Sequence, residues 1–302
     1  MKRGWRDKMR SAFIKYISSL LLFGFNGIVA SFILLNSYEK VLFRTLLGSL
    51  ILLIIFFITR KRFTFYKKKK AFAFLCASGL CMGVSWMFLY EAYAQIGVSL
   101  STLTYSCGPA IVMMLSPLIF KERLTVIKTF SFAAVFAGMI LVNGTVFGGG
   151  NFWGFFCGIM SAVGYSGMVI FNKKAKDIEG IENPTLQLII SFITVATFVG
   201  IRQGFNIEVS ADSIIPLLIL GFVNTGFGCY LYFSSIGKLK AQTVSIWGYL
   251  ELLSAIVFSF IFLHEGLVWW QYIGAVLIIG GAVLGEFFGD RAFSRKKDIE
   301  KS

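Results

Sequence analysis

Residues 109–125 read PAIVMMLSPLIFKERLT, and residues 252–268 read LLSAIVFSFIFLHEGLV. Each is an apolar run that closes on a glutamate, Glu122 or Glu265. A leucine follows two positions later, Leu124 or Leu267, and a new apolar run begins. The two stretches lie 143 residues apart, and sliding the whole chain by that offset superposes other landmarks without a gap. Gly24 falls on Gly167, Gly83 on Gly226 and Gly138 on Gly281. A register kept over this length marks an internal repeat.

The surrounding composition says where such a chain lives. Of 302 residues, 57% are hydrophobic and only 15% charged, and the mean hydropathy is +0.77. A soluble domain carries nearer a quarter charged residues, so water is excluded as the main solvent. A helix needs about 20 apolar residues to cross a bilayer. Such stretches fall at about 12–35, 39–58, 71–95, 98–120, 125–146, 152–172, 184–201, 214–236, 241–263 and 268–288. The expected fold is therefore an all-α integral membrane protein of ten transmembrane helices. Residues 1–147 form a first five-helix repeat, 148–290 a second, and 291–302 a basic tail.

Charge placement orients the chain. The formal net charge is +14, and the lysines and arginines cluster between apolar spans as cytoplasmic loops do, which removes the case for nucleic acid. Of 29 such residues, 26 fall in the N-terminal segment, alternate loops and the tail, leaving Lys40, Arg44 and Arg202 on the other side. Both termini are thus expected in the cytoplasm. Five spans is an odd number, so the second repeat enters the membrane from the opposite side. Inverted repeats of this kind build secondary transporters that alternate access around a site between the repeats.

The chain carries no GxxxxGK[ST] phosphate loop, and its single histidine, His264, cannot found a histidine metal centre. Five cysteines in apolar stretches, without CxxC spacing, argue against disulfides and zinc. No enzyme, cofactor or metal is expected. The 148–150 glycine run is a linker, and the Lys run at 67–70 is a topology determinant.

With two five-span halves and a glutamate closing a span in each, at Pro109 to Glu122 and at Glu251-Leu252 through His264-Glu265-Gly266-Leu267, the chain resembles the EamA-type family of the drug/metabolite transporter superfamily. The resemblance covers about residues 12–288. It implies a carrier whose relatives move amino acids, amines, sugars, nucleotide-linked metabolites or drugs. Where this family often has Glu-Pro, the chain has Glu251-Leu252.

Helical spacing gathers the candidate substrate residues. Thr243, Trp247, Glu251 and Ser254 make one stripe, and Gly83, Trp86, Tyr90 and Tyr93 another. Tyr105, Tyr165, Asn224 and Asn26 face inward from other spans. A charged Glu251 near mid-membrane costs about 2.5 kcal/mol or more. Burial favours its protonated form, so it could take a proton and release it when a cation arrives. Trp247, one turn away, offers a cation–π face. The plain alternative is a protonated Glu251 that fastens its helix. Glu91 and Arg44 are expected as a structural pair or as snorkelling side chains near the outer end. Glu122 and Glu265 are expected as helix caps. Pro109 and Pro117 are expected to break the fourth span.

The expected function is secondary active transport of a small organic metabolite across a bacterial plasma membrane, with an amino acid or organic amine as the leading class. Alternatives are a lipid-linked headgroup flippase and a transporter of sugars or nucleotide-linked metabolites. The expected partners are a small-molecule substrate, the lipid bilayer, and protons or another coupling ion. The chain could act as a monomer or a homodimer.

Overall fold

The computed structural model describes residues 2–121, 126–143, 152–263 and 269–287, and all of its regular structure is helical. Glu122, His264, Glu265, the glycine linker and the basic tail lie outside the described residues.

Capping explains the best-defined helix start. Asn36 accepts hydrogen bonds from the Tyr38 and Glu39 backbone amides, and Glu39 answers to the Asn36 amide at 3.0 Å. This reciprocal box starts α3, Ser37–Ile58. Before it come α1, Lys2–Gly24, and a short continuation α2, Asn26–Ser31. Together Met9–Ser31 is apolar and long enough to cross a membrane.

The next run, α4, is helical from Lys69 to Tyr105. Its packing on α7, Phe152–Lys174, changes direction along the way. The Ser78 and Ser85 hydroxyls donate to the carbonyls of Met168 and Ser161, an antiparallel order. Further on, Thr104 lies against Gly158, and Ser166 donates to the Gly108 carbonyl, a parallel order. The α7 partners of this run thus retrace their order after Ile96, while its backbone is helical through to Tyr105. The regular helix ends at Ser106, not near residue 96 as the hydropathy suggested. Pro109 has no N–H for the carbonyl of Tyr105, so the ladder is interrupted there and α5, Cys107–Phe120, begins afresh. Pro117, expected to make a second break, lies inside α5 without ending it.

Of the remaining helices, α6 is Val126–Asn143 and α8 is Glu182–Arg202. The expected span at 214–236 is not one α-helix. It runs as α9, Ala211–Leu218, then a π-helical turn at Ile219–Phe227, then α10, Gly228–Ile236. The Thr225 hydroxyl donates to the Leu220 carbonyl five residues back, at 2.7 Å, which is the π spacing. Last come α11, Ala241–Leu263, and α12, Trp269–Phe287.

Among the described residues, six runs are long and apolar enough to cross a membrane: Met9–Ser31, Ser37–Ile58, Lys69–Ile96, Phe152–Lys174, Glu182–Arg202 and Ala211–Ile236. Cys107–Phe120 and Val126–Gly138 are shorter apolar helices.

Small residues set how closely the helices approach. A Cβ on Gly83 would meet the Ser191 carbonyl and Thr194 of α8. Its counterpart 143 residues on, Gly226, faces Gly48 and Ile51 of α3, which are the counterparts of Ser191 and Thr194. The α6–α12 contact behaves the same way. Gly138 packs on Gly274 and Ile278, while Gly281 packs on Ser131 and Val135. Each pair of contacts maps onto the other by the repeat offset, as a pseudo-two-fold arrangement requires. Close glycine contacts of this type are how membrane helices bury area without a hydrophobic driving force.

Candidate substrate site

Glu251 projects from the middle of α11 into a small central chamber. The chamber is walled by Asn26, Trp86, Tyr105, Tyr165, Met168 and Tyr232, among others. Its volume is about 20 Å3, room for roughly one water. The walls are held by aromatic contacts. The Tyr105 and Tyr165 rings meet edge to face at 5.3 Å, and the Tyr165 and Tyr232 hydroxyls are 3.2 Å apart. The Tyr16 hydroxyl donates to the Val244 carbonyl at 2.6 Å, tying α1 to α11. Gly248 lies beside this approach. A Cβ there would lie 3.3 Å from Pro109 and 3.5 Å from the hydroxyls of Tyr16 and Tyr165.

Of the residues expected at the site, Glu251, Trp86, Tyr105, Tyr165 and Asn26 share this chamber. The others lie elsewhere. Trp247 is one turn from Glu251 but packs edge to face on Phe13 at 5.2 Å, and its buried indole N–H has no partner. Thr243 is buried in α11 without lining the chamber. Asn224 is one layer behind the wall and donates to the Asn26 side chain at 3.1 Å, orienting it. Tyr90 belongs to a second, larger cavity.

That second cavity is a vestibule of about 550 Å3, lined by Tyr38, Lys40, Tyr90, Glu91, Tyr93 and Arg202 among others. Between it and the chamber lies Arg44. The expectation of a snorkelling or Glu91-paired Arg44 is corrected here. Arg44 is 1% exposed and packs its guanidinium on the Trp86 ring, 4.1 Å from the centroid. Its Nε donates to Thr225 Oγ1 at 3.1 Å, and its Nη1 to the Tyr90 hydroxyl at 2.8 Å. Its Nη2 is buried without a partner. Glu91 instead accepts from Gln95 at 3.0 Å and from the Trp153 indole at 3.4 Å. The Arg44 and Glu251 charges are within electrostatic reach of each other. Thus a buried cation lies behind Trp86 of the chamber wall and Tyr90 of the vestibule wall, where the sequence suggested a carboxylate alone.

The opposite end of the molecule is tied shut. Glu182, at the start of α8, accepts from the Thr64 amide at 2.6 Å, the Phe65 amide at 2.8 Å and the Thr64 hydroxyl at 2.8 Å. The Asn172 amide donates to Asn183, and the Gln187 amide donates to Ser78 at 2.9 Å. Lys173 holds the carbonyls of Ile236, the last residue of α10, and of Leu239 just beyond it.

The sequence stripes overlooked Arg44, Met82, Cys229, Tyr232 and Phe233. Signals for two were present. The Asn36–Glu39 capping pattern fixes where α3 starts and so places Arg44 two turns below it, about 10 Å in. The step of four from Asn224 to Gly228 reaches Tyr232 if taken once more.

The described residues form a helical bundle with internally paired packing, a walled chamber and a vestibule. The EamA-like transporter family matches the chain twice, at residues 10–144 and 152–285. The chain belongs to that family, within the drug/metabolite transporter superfamily, and is a transporter of this type. It is 25% identical over 282 residues to the uncharacterized transporter YxxF of Bacillus subtilis (strain 168), covering 91% of this chain and 89% of the relative. It is 25% identical over 292 residues to the uncharacterized transporter YoaV of the same organism, covering 93% and 97%. A solved crystal structure superposes with a TM-score of 0.77 at 14% identity, covering 93% of this chain and 98% of that one, a likeness of fold.

Proposed function

We propose that the chain is a secondary active carrier that moves a small organic metabolite across the bacterial plasma membrane by alternating access, with amino acids and organic amines as the substrate class. The observation that carries the reading is the stacking of a 550 Å3 vestibule over a nearly closed chamber that holds Glu251. Two repeats of five spans, residues 1–147 and 148–290, rock about this chamber with both termini cytoplasmic. The vestibule then opens to the outside, and the latched end faces the cytoplasm, where the basic loops lie. Glu251 takes the substrate's ammonium group or a coupling proton, one replacing the other. Trp86, Tyr105 and Tyr165 supply aromatic walls on which a cation or an apolar side chain can rest.

Counterflow in proteoliposomes tests this. Vesicles loaded with unlabelled leucine, phenylalanine or putrescine are diluted into the labelled compound. A carrier gives a transient overshoot of label that Glu251→Gln removes. Simple equilibration without overshoot contradicts alternating access. Overshoot only with sugars, nucleotide-linked metabolites or lipid-linked headgroups contradicts the substrate class.

A further inference from the structure

We infer that Arg44 is the carboxylate subsite of this carrier, so that its substrates are zwitterionic amino acids and not simple amines. The inference rests on the reading above and sharpens it. Arg44 is the fully buried cation of α3, two turns inside the helix, and among the described residues it forms no ion pair. Burying a guanidinium without an acid is costly, and such groups in membrane helices mark ligand or ion paths. The packing around it leaves one vacancy. Nε donates to Thr225, Nη1 gives one bond to Tyr90, and one face of the guanidinium plane lies on Trp86, while Nη2 has nothing.

The partners that are present are all neutral. A hydroxyl can be exchanged for a stronger acceptor. A carboxylate grips the Nη1–Nη2 fork with two parallel, charge-assisted bonds, which a lone hydroxyl cannot match. Nη1 has two N–H groups and the Tyr90 hydroxyl takes one, so the carboxylate competes with Tyr90 at this nitrogen. Tyr90 also lines the vestibule, and Trp86, under the guanidinium, is a wall of the chamber. Carboxylate binding therefore loosens a side chain of the vestibule wall. The ligand's ammonium group then has Glu251 on the chamber wall as its partner. A cation packed on Trp86 of one chamber wall and an anion on another, not bonded to each other, form a dipole matched to a zwitterion.

The test measures binding to the full-length protein in detergent by calorimetry, with three matched probes. These are leucine, isopentylamine, which lacks the carboxylate, and 4-methylpentanoate, which lacks the ammonium. Leucine is expected to bind about 10- to 100-fold more tightly than isopentylamine. Arg44→Gln is expected to erase that preference while isopentylamine binding persists, which also certifies that the variant is folded. Tyr90→Phe removes the competing hydroxyl and leaves the arginine in place. It is expected to tighten leucine by about 5-fold and leave isopentylamine unchanged. Should Arg44→Gln fail to fold, the wild-type preference and the Tyr90→Phe response decide. Equal binding of leucine and isopentylamine, with no response to Tyr90→Phe, overturns the Arg44 subsite and leaves the amine-carrier reading standing. If neither leucine nor isopentylamine binds the wild-type protein, the underlying substrate class fails as well.

Discussion

The two ends of the molecule are tied together by different chemistry. At the vestibule end, Arg202 donates to the Tyr38 hydroxyl at 2.8 Å and lies over its ring, and Gln203 meets Glu39 at 3.1 Å and Asn36 at 3.4 Å. These contacts are solvent-exposed, though Tyr38 and Glu39 are themselves half-buried, and exposed polar pairs contribute about 0–1 kcal/mol each. At the latched end, one buried carboxylate, Glu182, gathers three donors from the 59–68 connector, two of them backbone amides. Charge-assisted bonds in that setting contribute about 1.5–3 kcal/mol. Both sets join the first half of the chain to the second. The difference between them is solvent access, and it accounts for a structure open at one end and shut at the other. A carrier needs both ends breakable, so the stronger latch sets the resting state.

The comparison can be broken most forcefully at Glu182. Glu182→Ala leaves two amides without an acceptor and is expected to weaken the latched end by about 2–4 kcal/mol. Spin labels at Tyr66→Cys and Glu179→Cys, both exposed beside the latch, should then report longer and broader distances. An unchanged distance would mean that Glu182 is not the latch. Next in size is Glu251→Gln, which keeps the shape of the chamber and removes its negative charge. Affinity for leucine should fall by about 10-fold or more, measured by calorimetry, as a charge-assisted bond becomes a neutral one. Retained affinity would make Glu251 a helix fastener.

Glycine contacts sharpen the comparison between repeats. A methyl added at Gly226 would lie 2.4 Å from Ile51, while one at Gly83 would lie 3.0 Å from the Ser191 carbonyl. Overpacking typically costs about 1–3 kcal/mol. Gly226→Ala should therefore lower the detergent melting temperature, and Gly83→Ala should lower it less. The reverse order would show that the second repeat's interface is the more yielding one. The smallest effect belongs to Arg202→Ala at the exposed end, under about 1 kcal/mol, with little change in spin-label distances across the vestibule.

The membrane class was legible because lipid forbids polar surface along a span, and composition records that directly. The repeat was legible through Glu122 and Glu265 and through paired glycines whose contacts obey the same offset. Helix breaks were harder. Pro109 disturbs the helix at the carbonyl four residues before it, so the interruption falls at Ser106 while hydropathy runs on unchanged. The π turn at Ile219–Phe227 adds backbone without changing composition, and it shifts every later side chain around the axis. A stripe drawn with α-helical spacing through Asn224 and Gly228 thus loses phase across it. Glu251, Trp86, Tyr105, Tyr165 and Asn26 could be foreseen because polar or aromatic groups recur at helical steps on regular helices. Trp247 was misplaced because a step of four turns a side chain about 40° away, far enough to meet Phe13. Arg44 was hidden by its apparent nearness to a helix end. Depth depended on where α3 starts, which the Asn36–Glu39 cap decides.

The most direct test of alternating access uses Cys229, a buried residue of the chamber wall, as the single remaining cysteine. Its labelling by a membrane-impermeant maleimide is followed separately from the outer and the inner face of oriented vesicles. In the wild-type background the outer face should dominate, and Glu182→Ala should shift labelling toward the inner face while slowing it from the outer. Labelling from both faces that rises together in Glu182→Ala would describe a pore and contradict the account.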